Sequence, residues 1–588
     1  MMQQFDESDD RAHTDQPGFI ADESGSMTAL ALLLFICMVI IGGISIDLMV
    51  FENNRTRLQN LSDRAALAAA DLDQDLPAAQ VVASYFEKEG LDPYLRNVTV
   101  TASVNQRTVR IETEKVQRTM FLNFWDHTGI DTLTPRATST ATEARTDLEI
   151  SLVLDVSNSM NWASTAPGST SKIADLKSAA TRFVDKVYTS GDPDRITMNL
   201  VPYSTHVNAG PIIMDELGVT AKHPYSNCLA FTGADYDDTT IRAGNAYKHT
   251  MHFDQWYYNQ TPRLYVCRAE DDQIVRPVMN DPAQIKSAIN ALVANGNTSI
   301  ELGLKWGAAF IDPSARHITQ RLIDTGTVNP AYGDRPFSWG RDSVEKFVVL
   351  MTDGENTQQQ EIRDAYATGP SGVWRWTPNP VLPLAFYSWN SPEVGDEDGD
   401  GLYNERYWTP GFTIPASVSG LGSNITIARG WTNDPVGMNL SELNVSHSNA
   451  TTRAALKSAL IAALTPINQA PVQVDYSDLW NEMSVRHFAW YWVRARFNSN
   501  TRMNNFYNAV WTGVNGPTKD ARLLNLCGRV RDRGATVFTI GFEVTDRAAN
   551  VMRQCASNPN YFIRVVGNDL EAAFDQIANT ISKLKLTQ

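Results

Sequence analysis

The chain has 588 residues, more than one hydrophobic core can organise, so two or more domains are expected. At pH 7 it carries 50 Lys and Arg against 66 Asp and Glu, a net charge of −16. This acidic balance argues against nucleic acid or another polyanion as a partner, because phosphate binding depends on clustered basic side chains.

The N-terminal region combines an acidic tail, residues 1–28, with a long apolar stretch. From Ala29 to Val50 the only charged residue is Asp47, and this length can cross a bilayer as one helix. A cleaved signal peptide is the alternative, but the tail is acidic and no Ala-x-Ala site follows closely. We therefore predict a retained transmembrane anchor over residues 29–51.

Two features of the sequence disagree about which side of the membrane carries the rest of the chain. The flanking arginines, which follow the span rather than precede it, favour the cytoplasm. Apart from Cys37 in the span, however, the cysteines form two sequence-local pairs, a pattern typical of disulfides in an oxidising compartment: Cys228, Cys267, Cys527 and Cys555. Four unrelated buried thiols are the alternative. We expect an inner-membrane anchor with the large domain periplasmic or extracellular.

The residues after the span, 52–146, predict a helical extension and a small α+β module. The Ala-rich run Arg57–Ala70 continues the anchor as a helix with one apolar stripe. A helix over Ala78–Glu89, alternating strands over residues 98–104 and 108–114, an amphipathic turn near 121–125 and a Thr-rich strand over 135–142 follow.

The beginning of this region resembles a known family. Gly25-Ser26 before the apolar helix, then Leu58-Gln59-Asn60 and the Ala run, are similar to the TadE/TadG-like subunits of tight-adherence (Flp) pilus systems. The glutamate expected five residues after Gly25 is replaced by Leu30, which argues against processing as a prepilin. The resemblance implies a component of a bacterial pilus apparatus.

From residue 147 onward the chain alternates strand and helix. Short apolar runs such as Leu148–Leu154 and Phe347–Met351 are typical of buried parallel strands, and the segments between them have helical periodicity. The pattern predicts an α/β fold, a doubly wound and mainly parallel sheet covered on both faces. Two long insertions, at about 206–278 and 355–518, interrupt it and must fold or be ordered by a partner.

The second insertion contains nine of the 14 Trp residues. We favour these rings as its own core over binding anchors. Because the insertion leaves the chain directly after Asp353, it should rise from the sheet edge that carries that residue, as a rim or a lid.

Three loops place oxygen-bearing residues at predicted strand or helix boundaries. They are the turn Asp155-Val156-Ser157-Asn158-Ser159, the helix start at Thr298, and Asp353 after its strand. Carboxylate and hydroxyl oxygens are the ligands that hard divalent cations prefer, and open α/β sheets bind ligands at the carboxyl ends of their strands. The alternative is a helix cap at Asp155 with the serines in an ordinary turn.

In these residues the chain resembles the von Willebrand factor A domain, whose metal-ion-dependent adhesion site uses a DxSxS loop, a threonine and an aspartate. The resemblance implies Mg²⁺, or Mn²⁺, held by Asp155, Ser157, Ser159, Thr298 and Asp353, with an acidic side chain of a protein partner completing the shell. A TadE/TadG-like start joined to such a domain, with the tail Ala535–Phe542 and the flanking Cys527 and Cys555, resembles the TadG group.

Other candidate sites are weaker. Asp396, Asp398, Asp400 and Asn404 have the spacing of a Ca²⁺ loop, but Tyr407 replaces the bidentate Glu, and a solvated acidic loop is the equal alternative. His249 and His252 have a metal-ligand spacing without the Glu of a metalloprotease, and we read them as structural.

The sequence as a whole predicts a membrane-anchored, envelope-facing subunit of a tight-adherence pilus apparatus that binds another pilus component through Mg²⁺ and is not an enzyme. The chain has neither a P-loop nor a GxSxG motif. The alternatives are a surface adhesin unconnected with pili and a metal-dependent hydrolase.

Overall fold

Two compact units make up the computed structural model, Met1–Arg145 and Thr146–Gln588. Within them the structure describes residues 26–71, 74, 76–103, 106–123, 129–144, 146–189, 193–341, 343–378, 384–395, 405–567 and 569–586. The candidate Ca²⁺ residues Asp396, Asp398, Asp400 and Asn404 lie outside these described residues.

The first unit is built on a single long helix, α1 (Ser26–Ala70). Its first half is apolar with exposed side chains, and it is long and apolar enough to cross a membrane. Its second half buries one stripe, which includes Leu58, Leu61 and Ala65. The anchor therefore continues into the module as one helix, as the sequence predicts.

The second half of α1 packs on a small antiparallel sheet. The further elements are α2 (Ala78–Lys88), β1 (Leu95–Ser103), β2 (Gln106–Glu114), β3 (Gln117–Arg118), β4 (Thr132–Leu133) and β5 (Arg136–Ala144). Three strands form a sheet of order β1-β2-β5, and β3 pairs with β4 in a separate hairpin. Val109 and Ile111 of β2 meet Phe86 of α2 and the buried stripe of α1 in one apolar core.

The second unit begins with a strand-helix-strand unit, β6 (Asp147–Asp155), α3 (Lys172–Thr189) and β7 (Ile196–Tyr203). All residues of β6 and β7 are buried, as expected for central strands covered on both faces. The two strands are parallel, with Leu152 opposite Leu200.

The first insertion is mostly irregular and ends in a strand that sequence reasoning missed. Its elements are α4 (Pro211–Glu216), β8 (Leu229–Ala230), β9 (Lys248–His249) and β10 (Arg276–Met279). β10 is antiparallel to β7 and forms one edge of the sheet. It is short, its register is irregular, and Val278 has φ of 54°, so no alternating pattern marks it in the sequence.

Three helices and the next central strand follow, α5 (Pro282–Ala291), α6 (Ile300–Ala309), α7 (Arg316–Asp324) and β11 (Val344–Thr352). Helix α6 lies very close to the sheet because it presents two glycines there. A Cβ at Gly303 would lie 2.4 Å from the Tyr203 ring, and one at Gly307 would lie 2.4 Å from Val153. This close approach determines where the loop before α6 meets the sheet.

The second insertion has its own secondary structure. Its strands and helices are β12 (Gln359–Ile362), β13 (Pro370–Trp376), β14 (Phe386–Gly395), β15 (Glu405–Thr409), β16 (Phe412–Ile414), α8 (Ala416–Ser419), β17 (Ile425–Ile427), β18 (Gly430–Thr432), α9 (Ala450–Leu464), β19 (Val472–Asp475), α10 (Tyr476–Glu482), α11 (Val485–His487), α12 (Arg494–Phe497), α13 (Asn500–Val510) and β20 (Trp511–Val514). Five of the strands form a sheet of order β18-β15-β14-β13-β19. Trp376 and Trp480 are completely buried, so these rings serve as core, as favoured from the sequence.

The chain then completes the sheet with α14 (Gly516–Asp532), β21 (Thr536–Phe542), α15 (Asp546–Cys555), β22 (Phe562–Val565) and α16 (Asp569–Leu586). The strand order is β10-β7-β6-β11-β21-β22, with every pair parallel except the one that β10 makes. One face packs on α3, α5 and α16 and the other on α6, α7 and α14, which confirms the doubly wound α/β fold.

Disulfides form between both predicted cysteine pairs. Cys228 is joined to Cys267 within the first insertion, and Cys527 joins α14 to Cys555 of α15. Cys37 of α1 is free and exposed.

Candidate functional site

The candidate site lies where neighbouring parallel strands end. β6 ends at Asp155, β11 runs directly into Asp353, and β21 is followed by Glu543. Parallel strands end at the same edge of a sheet, so three carboxylates from distant parts of the chain arrive at one edge.

Asp155 is fully buried and held on both of its oxygens. Its Oδ1 accepts the Ser157 N–H at 2.8 Å, and its Oδ2 accepts the Thr352 hydroxyl at 2.7 Å. Burial and the nearby charge of Asp353 raise the pKa of Asp155 to about 7. The fold thus keeps two mutually repelling carboxylates together, an arrangement that a bound cation would stabilise.

The serine turn links the two aspartates. Ser157 Oγ lies 3.1 Å from Ser159 Oγ, and Ser159 donates its hydroxyl to Asp353 Oδ1 at 2.7 Å. The structure therefore brings four of the five predicted residues into one chain of contacts, although Ser159 and Asp353 are 194 positions apart.

Thr298 belongs to a loop that docks on the same turn through its backbone. Asn295 donates its N–H to the Val156 carbonyl at 2.8 Å, and Asn158 donates to the Gly296 carbonyl at 2.9 Å. Thr298 is buried, and its Oγ1 would lie 3.9 Å from a Cβ at Gly354. The structure thus places the threonine hydroxyl beside the turn that carries Asp353.

Two lysines at the site were not identified from the sequence. Lys172, the first residue of α3, places its ammonium 3.1 Å from Asp353 Oδ2 and 3.7 Å from Glu543 Oε2. Lys519 of α14 is fully buried and donates to the Thr298 carbonyl at 2.7 Å, to Ser299 Oγ at 2.7 Å and to the Thr357 carbonyl at 2.8 Å. Neither belongs to a local motif, and only the packing of helices against the strand ends brings them here.

The donor set fits a hard divalent cation. Carboxylate and hydroxyl oxygens are the ligands that Mg²⁺ and Mn²⁺ prefer. Three carboxyl groups meet there, those of Asp155, Asp353 and Glu543, against the single amino group of Lys172, and a divalent ion would offset this acidic excess. The proposed ligands are two aspartates and three hydroxyls, and within the described part of the chain no group of three or more His, Cys, Asp or Glu side chains is placed to hold a metal ion.

The histidines noted in the sequence have structural roles. His249 lies on β9 and not on a helix, and its ring stacks on His223 at 4.1 Å between ring centroids. Its Nε2 is 2.7 Å from the Ser226 carbonyl, and its Nδ1 accepts the Lys222 N–H at 3.0 Å. Both ring nitrogens are thus engaged by the backbone, and burial lowers the pKa of His249.

The strand order and the two helical layers give the doubly wound α/β fold that the resemblance to von Willebrand factor A domains implies, and the oxygen cluster lies at its strand ends. The start of the chain is similar to a second family, since residues 25–72 match the family model described as putative Flp pilus-assembly TadE/G-like. The chain joins an N-terminal segment similar to TadE/G-like proteins to a doubly wound α/β unit that resembles an A-type domain, as the sequence predicts. With its apolar helix, this segment fits a membrane-anchored protein of the cell envelope.

Several solved structures share a distant likeness. The vWF domain of the type V pili tip protein Mfa5 from Porphyromonas gingivalis is 16% identical, with 76% of this chain and 98% of that chain covered and a TM-score of 0.29. The pilus adhesin SpaC from Lactobacillus rhamnosus GG is 9% identical, with 83% of this chain and 34% of that chain covered and a TM-score of 0.28. The adhesive tip pilin GBS104 from Group B Streptococcus agalactiae is 12% identical, with 74% of this chain and 100% of that chain covered and a TM-score of 0.26. These scores are low, and the fold assignment rests on strand order and register. No curated protein sequence matches the chain.

Proposed function

We propose that this protein is an envelope-facing subunit of a tight-adherence pilus apparatus and that it binds a protein partner through a divalent cation at its A-type domain. Mg²⁺ is the ion we favour, and Mn²⁺ has the same ligand preference. The observation that carries the proposal is the convergence of Asp155, the serine turn and Asp353 at the ends of adjacent strands.

In this proposal the protein's own residues position the ion and leave room for one ligand from outside. Asp155, Ser157, Ser159, Thr298 and Asp353 would hold the cation directly or through water. An acidic side chain of the partner would supply the remaining oxygen, since carboxylate oxygens are the ligands that the ion prefers. The partner we expect is another component of the pilus apparatus.

The proposed role is binding and not catalysis. Among the described residues of the site, each aspartate is already engaged: Asp155 accepts bonds from Ser157 and Thr352, and Asp353 accepts from Ser159 and Lys172. A hydrolase needs a base that can approach a metal-bound water. The arrangement supports a cation-mediated contact better than it supports proton transfer.

We place the second unit on the periplasmic or extracellular side. Two disulfides between sequence-local cysteines support this side, because such bonds persist in oxidising compartments. The arginines that follow the apolar run within α1 favour the opposite side, and the disulfides outweigh them because reducing compartments would not maintain both pairs.

Mg²⁺ titration of the full chain in detergent, with Asp155→Ala as the test variant, measures the proposed site directly. We expect the variant to express and insert in the membrane but to lose Mg²⁺ binding and chelator-sensitive crosslinking to its partner in the native envelope. Asp185→Ala, on the exposed side of α3, is the matched control. Partner crosslinking that persists in EDTA, or Mg²⁺ binding that Asp155→Ala leaves unchanged, would overturn the proposal.

A further inference from the structure

The β3–β4 hairpin of the first unit lies along α1. At Asn54, just beyond the apolar run, polar contacts join the helix to the chain around the hairpin: Asn54 Nδ2 donates to Gln117 Oε1 at 2.6 Å, and Lys115 Nζ donates to Asn54 Oδ1 at 2.9 Å. The chain then continues toward the N-terminal half of α1. We use the name hairpin tip for Met120–Leu122 alone, the described residues of the connection that follow β3 and Thr119.

The hairpin tip is attached to the only charged residue of the apolar run. Asp47 is buried, and its carboxylate accepts three consecutive backbone N–H groups, from Met120 at 3.0 Å, Phe121 at 2.8 Å and Leu122 at 2.8 Å. A charged residue within an apolar span carries a large free-energy cost, and these three hydrogen bonds offset part of that cost. Asp47 therefore acts as a clamp that holds the hairpin tip against α1.

A second contact lies one turn deeper in the run. Gly43 faces the Phe121 ring so closely that a Cβ there would lie 2.5 Å from ring carbons. At 1.5 Å per residue, Asp47 and Gly43 lie about 5 Å and about 10 Å inside the end of the run at Val50. Both contacts fall within the stretch that we assign to the hydrocarbon of the bilayer.

Large apolar side chains are exposed at this level on both elements, beside the small polar side chains of Ser45 and Asn123. Met120 is 76% exposed and Phe121 38%, and on α1 Ile46 and Met49 are also exposed. The polar contacts at Asn54 give way to this apolar surface over about two turns of helix. Such a change from polar to apolar along one direction is the pattern of a segment that crosses a membrane interface.

We propose that the hairpin tip inserts into the bilayer beside α1, with the Asp47 clamp holding it there, so that the first unit contacts lipid through Met120 and Phe121 as well as through its helix. The occupant of this apolar surface is the acyl-chain region of the membrane. The proposal rests on the membrane anchorage of α1 and is independent of the proposed cation site.

The test uses the full chain reconstituted in phosphatidylcholine vesicles that contain nitroxide-labelled lipid. A fluorophore is attached either to the native Cys37 of α1 or, in a Cys37→Ser background, to Met120→Cys. The control is Thr142→Cys, opposite Thr108 on β2. Arg107, next to Thr108, donates to the Asp71 carbonyl at the far end of α1, about 30 Å beyond Val50. Position 142 therefore lies far from the apolar run.

We expect lipid quenching at position 120 to approach that at Cys37 and to be at least about fivefold stronger than at position 142. Adding Asp47→Ala should reduce quenching at position 120 and leave it unchanged at Cys37. Quenching at Cys37 without quenching at position 120 overturns the insertion, and crosslinking of two chains through position 120 in that case identifies a second copy as the occupant. Quenching at position 120 that Asp47→Ala leaves unchanged overturns the clamp. Absence of quenching at both position 120 and Cys37 refutes the anchorage of α1 itself.

Discussion

Lys172 and Asp353 form a buried ion pair at the end of the central strands, with 3.1 Å between Nζ and Oδ2. The lysine side chain is only 9% exposed and the aspartate side chain is fully buried. The same ammonium lies 3.7 Å from Glu543. A fixed positive charge therefore lies beside the residues proposed to hold a divalent cation, and it both neutralises the aspartate and repels an incoming ion.

Lys172→Met should tighten divalent-ion binding. Removing one positive charge a few ångströms from the ion should make the free energy of Mg²⁺ binding more favourable by more than about 1.4 kcal/mol. The Mg²⁺ dissociation constant should therefore fall about tenfold or more. The rise in Tm on adding Mg²⁺ should also be larger than in the unmodified chain. Isothermal titration and thermal unfolding measure both, with Lys177→Met on the same helix as control. Weaker binding in Lys172→Met would show that the ammonium serves to hold Asp353 in place for the ion.

Lys519→Met should destabilise the second unit and loosen the Thr298 loop. The change removes three hydrogen bonds and leaves Glu301 buried, whose Oε1 lies 3.8 Å from Lys519 Nζ, without its partner. Loss of one member of a buried pair typically costs about 3 kcal/mol or more in the free energy of unfolding. Denaturant unfolding of the single variant and of Lys519→Met with Glu301→Met should show partial recovery in the double variant. No recovery would mean that the three hydrogen bonds account for the loss.

Both disulfides should be present in the isolated protein and should contribute to its stability. With thiols blocked before lysis, mass spectrometry should find Cys527 joined to Cys555, Cys228 joined to Cys267, and Cys37 free. Closing a loop of 28 residues corresponds to about 3–4 kcal/mol in the chain-entropy model, so Cys527→Ala with Cys555→Ala should lower the free energy of unfolding by an amount of that order. Free thiols at all four positions would instead support a cytoplasmic second unit.

The second unit should lose stability in mild acid because of its buried histidines. Burial and the neighbouring His223 lower the pKa of His252 to about 3, below about 6.5 in an unfolded chain. The unfolded chain therefore binds a proton that the folded protein does not, so this stability is fully present above pH 6.5 and is lost as the pH falls toward 3.

His252→Asn tests this dependence, since an amide can still donate to the Cys267 carbonyl that His252 Nδ1 contacts at 2.9 Å. Between pH 6 and 4 the slope of the free energy of unfolding against pH should fall by about 1.4 kcal/mol per pH unit. His447→Asn, at an exposed position, is the control. An unchanged slope in His252→Asn would place the acid sensitivity elsewhere.

Much of the fold could be predicted from local patterns. The apolar runs Leu148–Leu154 and Phe347–Met351 are the central strands β6 and β11, because strands buried on both faces have no alternation to obscure them. Strand β10 was missed for the opposite reason: it is a short edge strand with an irregular register and Val278 at positive φ. Its position depends on its partner β7 and not on its own residues.

The sequence by itself determined the apolar anchor, the doubly wound sheet and the oxygen-bearing loops, because hydrophobic periodicity and loop chemistry are local properties of the chain. Only the tertiary structure decided which charges share a site. Lys172, Lys519 and Glu543 meet the predicted residues because parallel strands end at one edge and the helices pack across them. In the same way, only packing shows that Asp47 binds the backbone of the hairpin tip, since no local pattern connects positions more than 70 residues apart.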